Sequence, residues 1–337
     1  MIRRFRNDIV CVGDVNMDLV ASVEKLPSLG SEVMINDFQI ATGGVAANIA
    51  VAFAKLGLSS AIISKIGNDY FGRKLLDGLK KEHVNTQNVI MDKNPSGLAF
   101  VALTPNGQRT IFNLKGANKS LGPGDVSKHM VQDSAMVLVS GYCLFSTQQA
   151  RAALRAIQLA RDEEVSICLD LRLLPADKND SSKFMAKALA NVDLLTVSDE
   201  CWSSLRCNHK NSESALLPSS IIIYGRENIE TRIIKGTSVS RVSPFPVAAR
   251  KKNLLGANDS FIAGLLHSRC LNKELEESVR FASACKAITA SAPQKNLWDR
   301  FPTRRKVDDL LRRHGSGGPK SSVKIDAQPS IGTIKPS

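Results

Sequence analysis

The chain has 337 residues, with 43% hydrophobic and 5% aromatic side chains and a net charge of +13. The hydrophobic content is ample for a large core, in one big domain or two, and the absence of any run of about 18 apolar residues excludes a membrane-spanning helix. The positive charge is compatible with nucleic acid, an anionic surface or an enzyme that handles phosphates. No basic segment is interleaved with aromatic residues, so nucleic acid is not an expected partner.

The seven cysteines are scattered and odd in number, and none forms a C-x-x-C pair. Cys11, Cys143 and Cys168 lie in apolar, strand-like runs, where buried free thiols are common. The five histidines are dispersed too, so we expect no metal cluster and a reducing compartment. The basic N-terminus runs straight into an apolar strand-like stretch without the apolar region of a signal peptide. We therefore expect a soluble, cytoplasmic protein.

The first strand-like run, residues 9–13, is continuously apolar, as expected for a strand buried on both faces. It ends in a polar turn at residues 14–18, where Asn16 and Asp18 face the ligand crevice that forms at the carboxyl ends of parallel strands. These two side chains either hydrogen-bond sugar hydroxyls or only shape a turn. Residues 19–40 then alternate apolar and polar positions in two runs, which predicts antiparallel strands open to water on one face.

Two glycines, Gly43 and Gly44, precede a predicted helix that ends near Gly57. Such glycines allow the backbone to approach a ligand closely, and Asn48 in the first helical turn could reach the same ligand. For this motif on its own, a tight turn packed on a strand is an equally good interpretation.

The chain continues with a strand at 60–66, a helix at 71–83 and a hairpin of strands 98–103 and 109–114. Its second half alternates strands and helices, which predicts a parallel sheet covered by helices on both faces. Residues 315–337 are rich in Gly, Pro, Ser and Lys, and we expect a disordered tail there. Further strands are predicted at 135–140, 165–171, 192–197, 220–224, 232–234 and 239–242, and further helices at 147–162, 183–190, 261–270, 274–291 and 306–313.

A turn at residues 253–260 precedes the apolar helical run that starts at Phe261. A small-residue turn that opens a helix presents backbone N–H groups and the positive end of the helix dipole, which together form an anion site. Asp259 inside this turn is unusual beside a phosphate, unless it takes a proton from a hydroxyl that attacks the phosphate. The alternative is that Asn258 or Asp259 simply caps the helix.

The N-terminal motifs resemble those of the ribokinase-like sugar kinases, also called PfkB carbohydrate kinases. The matching segments are residues 13–18 and 43–50, with Gly57 and Gly67 at the expected spacing. The resemblance covers roughly residues 8–312.

This resemblance implies an α/β fold with a doubly wound, mostly parallel sheet covered by helices. It also implies a small antiparallel β lid over the sugar, formed by strands at roughly 14–42 and 97–115. We expect the kinase domain to span residues 1–314 and the disordered tail to follow at 315–337. The expected partners also include a second copy of the chain, which would pair through the lid strands.

The resemblance further implies ATP-dependent phosphorylation of a sugar hydroxyl, with ATP and Mg²⁺ as cofactors and Asp259 as the general base. A lid suits this chemistry because it excludes water, which would otherwise compete as the acceptor. Nucleotide contacts are expected from Gly225 and Asn253. The expected acceptor-binding residues are Asn16, Asp18, Gly43, Gly44 and Asn48, and the expected anion hole consists of the backbone amides of Gly256, Ala257, Asn258 and Asp259.

The nucleotide half departs from the family pattern in three places. The family's loop, approximately D-T-x-G-A-G-D, reads N-L-L-G-A-N-D at residues 253–259. The N-x-x-E motif, linked to the Mg²⁺-phosphate network, reads S-D-E-C at residues 198–201, where Asp199 or Glu200 could substitute. Of the T-x-G-x-x-G strand end only Gly225 remains, and the Arg226 that follows it contacts a donor phosphate or lies exposed at the surface.

Two hypotheses follow from the combination of intact acceptor motifs and altered nucleotide motifs. An active kinase with a divergent nucleotide site is favoured by the retained Asp259 and by the intact acceptor motifs. A catalytically weakened or inactive member that binds a sugar or nucleoside as a sensor or scaffold is favoured by the altered motifs. The acceptor stays open among ribose, fructose-like sugars and nucleosides. Residues 115–118 resemble ribokinase, whereas residues 107–110 resemble fructokinase and ketodeoxygluconate kinase relatives.

Overall fold

The computed structural model describes residues 6–105, 108–174, 180–208, 217–225, 229–246, 254–293 and 296–314. Within these ranges the chain forms a nine-stranded sheet and a separate four-stranded sheet. Three sequence predictions fall outside the described residues, namely the tail at 315–337, Arg226 and Asn253.

The strands and helices of the described residues follow one another as the alternating sequence pattern predicts. The strands are β1 (Asn7–Val12), β2 (Asn16–Val23), β3 (Ile35–Gly43), β4 (Ser60–Gly67), β5 (Asn85–Asp92), β6 (Gly97–Leu103), β7 (Arg109–Leu114), β8 (Ser134–Ser140), β9 (Ser166–Leu171), β10 (Leu194–Ser198), β11 (Ser220–Tyr224), β12 (Thr231–Lys235) and β13 (Ser238–Val242). The helices are α1 (Val45–Lys55), α2 (Tyr70–Lys81), α3 (Lys128–Gln132), α4 (Thr147–Asp162), α5 (Asp180–Leu189), α6 (Asp199–Asn208), α7 (Ala257–Cys270), α8 (Leu275–Ser291), α9 (Leu297–Arg300) and α10 (Arg304–Arg313).

The large sheet has the strand order β13-β12-β11-β10-β9-β8-β1-β4-β5. The strands from β11 to β5 pair in parallel, while β12 and β13 add an antiparallel hairpin at one end. The prediction of a mostly parallel sheet is therefore confirmed. Because β10, β9, β8 and β1 are parallel neighbours, the segments that follow them meet at one edge of the sheet.

The side chains of β1 alternate between two hydrophobic cores. Ile9 and Cys11 pack with residues of α1, α7 and α8 on one face of the sheet. Val10 and Val12 pack with residues of α4 and α5 on the other face. A strand covered by helices on both faces has no exposed side, which explains the continuous apolar run. The predicted buried free thiols are also confirmed, since Cys11, Cys143 and Cys168 are buried and unpaired.

The small sheet forms the predicted lid, with the strand order β3-β2-β6-β7. Its outer pairs, β2 with β3 and β6 with β7, are antiparallel. The central pair, β2 with β6, is parallel, because a long crossover through α1, β4, α2 and β5 separates the two strands. The chain passes from the large sheet into the lid at the turn after β1, and it leaves β3 of the lid to enter α1.

The short helices α3 and α9 were not predicted, and three further elements differ from the sequence prediction. Helix α7 begins at Ala257 rather than Phe261, because Gly256 takes a left-handed conformation with a φ of 72° and starts the helix there. Strand β5 was not predicted, since it is a partly exposed edge strand with only three apolar residues among eight. Helix α6 was not predicted either; it begins directly after Ser198, whose Oγ accepts a hydrogen bond from the Cys201 amide. Among the described helices, none combines the length and apolar character needed to cross a membrane.

Candidate active site

The two glycines between β3 and α1 are required by the close approach of neighbouring groups. Gly44 has a φ of 93°, a left-handed backbone that favours glycine, and a Cβ there would overlap the backbone carbonyl of Asp14. A Cβ at Gly43 would overlap the carboxylate of Asp18. The glycines therefore bring the N-terminus of α1 against the turn that follows β1.

Asp18 lies on lid strand β2 and is buried, with 8% of its surface exposed. Burial, together with the smaller effect of the negative charge on Asp259, raises the pKa of Asp18 to about 7. The Asp18 carboxylate lies against Gly43, just before α1, and Asn48 in the first turns of α1 binds Asp259. The start of α1 thus lies between a lid carboxylate and the carboxylate of α7.

Asp259 is the third residue of α7, and its side chain is buried. Its Oδ2 accepts a hydrogen bond from Nδ2 of Asn48 at 2.8 Å. Oδ1 of Asn48 in turn accepts one from Nε1 of Trp298 at 2.9 Å. Because an indole N–H can only donate, Trp298 fixes the orientation of the Asn48 amide. Asn48, predicted to contact a ligand, therefore also holds Asp259 in place.

Arg172 completes this arrangement from the end of β9. Its Nη1 lies 2.6 Å from Oδ1 of Asp259, and its Nε donates to Oδ2 of Asp170 at 2.7 Å. Asp170 also accepts hydrogen bonds from the hydroxyls of Thr196 at 2.9 Å and Tyr224 at 3.1 Å. Burial disfavours the charged guanidinium, but the carboxylates of Asp170 and Asp259 outweigh it and raise the pKa of Arg172 well above its usual value. Arg172 is therefore a cation in this site.

Sequence reasoning missed Arg172, Asp170 and Trp298, although a signal existed for the first two. Both lie at the carboxyl end of an apolar strand, Asp170 within β9 and Arg172 directly after it, which is the argument that singled out Asn16 and Asp18. No comparable signal marks Trp298, whose role depends on the packing of α9 beside α1.

The turn after β1 is held by a side chain from a distant segment. Oδ1 of Asn118 accepts a hydrogen bond from the Val15 amide at 3.0 Å, and its Nδ2 donates to Oδ1 of Asn16 at 2.8 Å. Since the oxygen of Asn16 is used in this way, its Nδ2 amide is the group suited to a ligand. The segment around Asn118 is the one whose sequence resembles ribokinase.

A buried cluster around Lys115 supports the same turn. Nζ of Lys115 lies 2.6 Å from Oδ2 of Asp14 and donates to the carbonyl of Tyr142 at 3.1 Å. Gln149 donates to the other oxygen of Asp14. The charge of Lys115 is thus paired within the turn and helps to position it.

The predicted anion hole lies at the N-terminus of α7, a helix of 14 residues. Gly256 precedes the helix, and Ala257 and Asn258 are its first two residues. The amide of Ala257 donates to the carbonyl of Leu254 at 3.2 Å, so this N–H group serves the turn itself. An anion at this site would therefore depend on the remaining amides of the first turn and on the helix dipole.

Gly225 directly follows β11, and its carbonyl accepts a hydrogen bond from Nζ of Lys286 on α8 at 2.7 Å. A Cβ at this position would contact the side chain of Ile229 at 2.6 Å. The closeness of Ile229 explains why position 225 is glycine. Its expected role towards the nucleotide stays a prediction, as does that of Asn253.

At residues 198–201, the side chains of Ser198, Asp199 and Cys201 are occupied within the protein or uncharged. Asp199 forms an ion pair with Arg232, and burial raises the pKa of the Cys201 thiol to about 12, so that it stays neutral. Oγ of Ser198 donates to the carbonyl of Arg172 at 3.2 Å. Across the described residues, no group of three or more His, Cys, Asp or Glu side chains could hold a metal ion.

The mostly parallel sheet covered by helices and the small second sheet match the fold of solved ribokinase structures. Residues 6–298 match the profile described as "pfkB family carbohydrate kinase", and the chain belongs to this family. The resemblance found in the sequence is thereby confirmed.

The relatives extend over nearly the whole chain. The 5-dehydro-2-deoxygluconokinase of Bacillus subtilis is 26% identical, covering 90% of this chain and 95% of the relative. The ribokinase of Haemophilus influenzae is 27% identical, covering 91% and 99%. Among solved structures, Arabidopsis thaliana ribokinase complexed with ribose and ATP superimposes with a TM-score of 0.73 at 22% identity, covering 90% of this chain and 98% of that one.

Proposed function

We propose that this protein transfers the γ-phosphoryl group of ATP to a hydroxyl of a sugar, with Asp259 as the general base. The observation that carries the proposal is the position of Asp259. Its buried carboxylate lies in the first turn of α7, where a helix N-terminus attracts anions. A carboxylate is suited to such a place when it accepts the proton of an attacking hydroxyl.

The proposed reaction assigns one role to each part of the site. Asn16, Asp18 and the glycine turn hold the sugar beneath the lid, and the first turn of α7 holds the phosphoryl group. The acceptor oxygen forms a bond to the γ-phosphorus while the bond to the bridging oxygen of ADP breaks. The hydroxyl proton passes to Asp259, which Asn48 and Arg172 orient. The lid excludes water as a competing acceptor.

The acceptor class is proposed to be a sugar or sugar derivative of the size of ribose or fructose. Support comes from the names of the relatives, which act on ribose and on 5-dehydro-2-deoxygluconate. Further support comes from the polar groups around the lid, since Asn16 and Asp18 suit hydroxyl groups. A nucleoside acceptor is the alternative within the same reaction. Gly225 and Asn253 remain the proposed nucleotide contacts.

A panel of sugars and nucleosides, assayed with MgATP, tests this function. The wild-type protein should phosphorylate at least one acceptor, and the Asp259→Asn variant should lose about 10²–10⁴-fold in kcat while its acceptor affinity stays nearly unchanged. Asp162→Asn is the matched control, because Asp162 is an exposed residue at the end of α4, away from the site. Equal turnover by the Asp259→Asn variant and the wild-type protein would remove Asp259 as the base.

A non-catalytic sensor or scaffold is the second candidate function. It is favoured by the segment at 198–201, where Asp199 is paired with Arg232 and Cys201 is a neutral thiol. The same panel distinguishes the two candidates. The sensor function would be established if the protein bound a sugar but showed no heat of binding with any nucleoside triphosphate. The calorimetry would use high protein concentration and Mg²⁺.

A further inference from the structure

Arg172 has more hydrogen-bonding capacity than its two carboxylate partners use. A guanidinium carries five N–H groups. Nε serves Asp170 and Nη1 lies against Asp259, whereas Nη2 is buried and has no hydrogen-bond partner among the described residues. A buried donor of this kind costs free energy unless something binds to it. The group therefore indicates a binding partner that is absent from the free protein.

The location of this donor indicates what the partner is. Because Nη1 is 2.6 Å from Asp259, the guanidinium lies beside the first turn of α7. Its other anchor, Asp170, is fully buried and held by two hydroxyl donors, so the guanidinium cannot easily leave. A planar cation next to a helix N-terminus is suited to the oxygen atoms of a phosphoryl group.

The surrounding charges make such a cation necessary. Asp18 and Asp259 both bring negative charge towards a bound phosphoryl group. Lys115 cannot offset it freely, because its Nζ is paired with Asp14 and bonded to the Tyr142 carbonyl. Among the described residues, the cation in direct contact with Asp259 is Arg172.

We propose that Arg172 binds a non-bridging oxygen of the γ-phosphoryl group and stabilises it during transfer, in addition to orienting Asp259. The inference rests on the proposed function. Before transfer, the charge of Asp259 largely neutralises the guanidinium. As Asp259 accepts the hydroxyl proton it becomes neutral, so Asp170 is left as the carboxylate paired with Arg172 and more of the positive charge acts on the phosphoryl oxygens. The interaction thus strengthens as the reaction proceeds, which is the condition for accelerating it.

Comparing ATP with ADP by calorimetry tests this contact without turnover. The comparison is made in Asp259→Asn protein, so that neither catalysis nor the loss of an ion pair with Asp259 contributes. Adding Arg172→Gln should weaken ATP binding about 10-fold or more while ADP binding, which lacks the γ-phosphoryl group, stays the same. Arg161→Gln is the matched control, because Arg161 pairs with Asp193 at the surface of α4. If Arg172 only held Asp259, this difference would vanish in the Asp259→Asn background.

A second variant protects the test against misfolding. Removing Arg172 alone leaves the buried Asp170 without its counter-ion, which is strongly destabilising. Asp170→Asn combined with Arg172→Gln removes both charges and keeps an oxygen for the hydroxyls of Thr196 and Tyr224. This double variant should fold, with a melting temperature close to that of the wild-type protein, and show the same selective loss of ATP affinity. With intact Asp259, it should lose about 10²–10³-fold in kcat.

The outcomes separate this inference from the proposed function. If the wild-type protein binds ATP but phosphorylates no acceptor, the proposed function fails, while a selective loss of ATP affinity still supports Arg172 as a phosphoryl ligand. If acceptors are phosphorylated but Arg172→Gln weakens ATP and ADP equally or not at all, the inference is overturned and the function stands. A wild-type protein that binds neither nucleotide overturns both.

Discussion

At the scale of single residues, we expect Asp18 to make acceptor binding depend on pH. Its pKa of about 7 means that it is largely protonated at pH 6 and largely charged at pH 8. The charged form accepts hydrogen bonds from hydroxyl groups with both oxygens. We expect the acceptor KM to fall about 10-fold between pH 6 and pH 8, in step with the ionised fraction.

Steady-state kinetics across that range check the prediction, with Asp18→Asn as the variant that cannot ionise. Its KM should be higher and should not change with pH. The raised pKa of Asp18 affects the stability of the fold in the opposite direction, so that stability falls as the pH rises. Because the folded pKa is raised from 3.8, the protonated form stabilises the fold, and this contribution is lost as the pH rises through 7. A wild-type KM that is flat from pH 6 to 8 would contradict the role of Asp18.

His267 should give the fold a distinct sensitivity to acid. It is buried on α7 and stacks on Phe281 with ring centroids 5.3 Å apart, and its edge contacts Phe53. Burial, and then the charge of Arg304, lower the pKa of His267 from 6.5 to about 4. The folded state therefore prefers neutral His267, and this stability is present above pH 6.5 and lost as the pH falls towards 4. The loss amounts to about 2 to 3 kcal/mol at pH 4.5.

Urea unfolding at pH 7.5 and pH 4.5 measures this loss of stability. His267→Phe keeps an aromatic ring between its neighbours but cannot take up a proton, so it should lose less stability on acidification than the wild-type protein. His129→Phe, at an exposed position on α3, should behave like wild type. Equal acid sensitivity in all three proteins would rule out His267 as its source.

At the scale of elements, the two glycines between β3 and α1 have different roles: we expect a substitution at one to affect acceptor binding and a substitution at the other to affect folding stability. Alanine at Gly43 would meet the flexible carboxylate of Asp18, whereas alanine at Gly44 would meet the backbone of Asp14 with a φ of 93°. We expect Gly43→Ala to raise the acceptor KM at least about 10-fold with little change in melting temperature, because it displaces a charged hydrogen-bonding group. Gly44→Ala should instead cost about 1–3 kcal/mol of stability, since its strain lies in the backbone.

Each glycine variant serves as the other's control in thermal unfolding and steady-state kinetics. The prediction would be wrong if Gly43→Ala unfolded the protein as much as Gly44→Ala does. It would also be wrong if Gly43→Ala bound the acceptor normally, because the space at Gly43 would then not belong to the acceptor site.

The elements that could be predicted are those whose pattern depends on local burial. Apolar runs such as 9–13 and 60–66 predicted parallel strands correctly, because both faces of such strands are covered. The start of α7 could not be predicted, since small polar residues after Gly256 favour a turn until packing extends the helix. The pairing of Arg172 and Trp298 with other site residues could not be predicted for a similar reason. Their partners, Asp259 and Asn48, are brought to them only by the complete fold.

At the scale of the whole molecule, the lid face opposite Asp18 is rich in exposed apolar side chains. In the sheet register Asp18 stands beside Ala41, and Leu19 beside Ile40, so these two pairs point to opposite faces. The face opposite Asp18 carries four large apolar side chains that are 48–62% exposed. This apolar lid face consists of Phe38, Ile40, Phe112 and Leu114.

An exposed apolar patch of this size on a sheet is typical of a surface that binds another protein surface. We propose that the apolar lid face of one protomer packs against that of a second copy, since a two-fold pairing covers both patches at once. A dimer of this kind would also restrain the lids, because each lid would be held from its outer side while Asp18 faces the acceptor. The lid would then be both the cover of the site and the interface.

The mass of the protein in solution decides this proposal. Sedimentation equilibrium of the wild-type protein should give twice the chain mass of 36.5 kDa. Introducing charge into the apolar lid face, by Ile40→Glu together with Phe112→Glu, should give the mass of a single chain, because a buried unpaired carboxylate is costly to desolvate. Leu271→Glu is the matched control, as Leu271 is 41% exposed at the end of α7, away from the lid. A wild-type monomer would disprove the dimer, and a dimer that survives both lid substitutions would place its interface elsewhere.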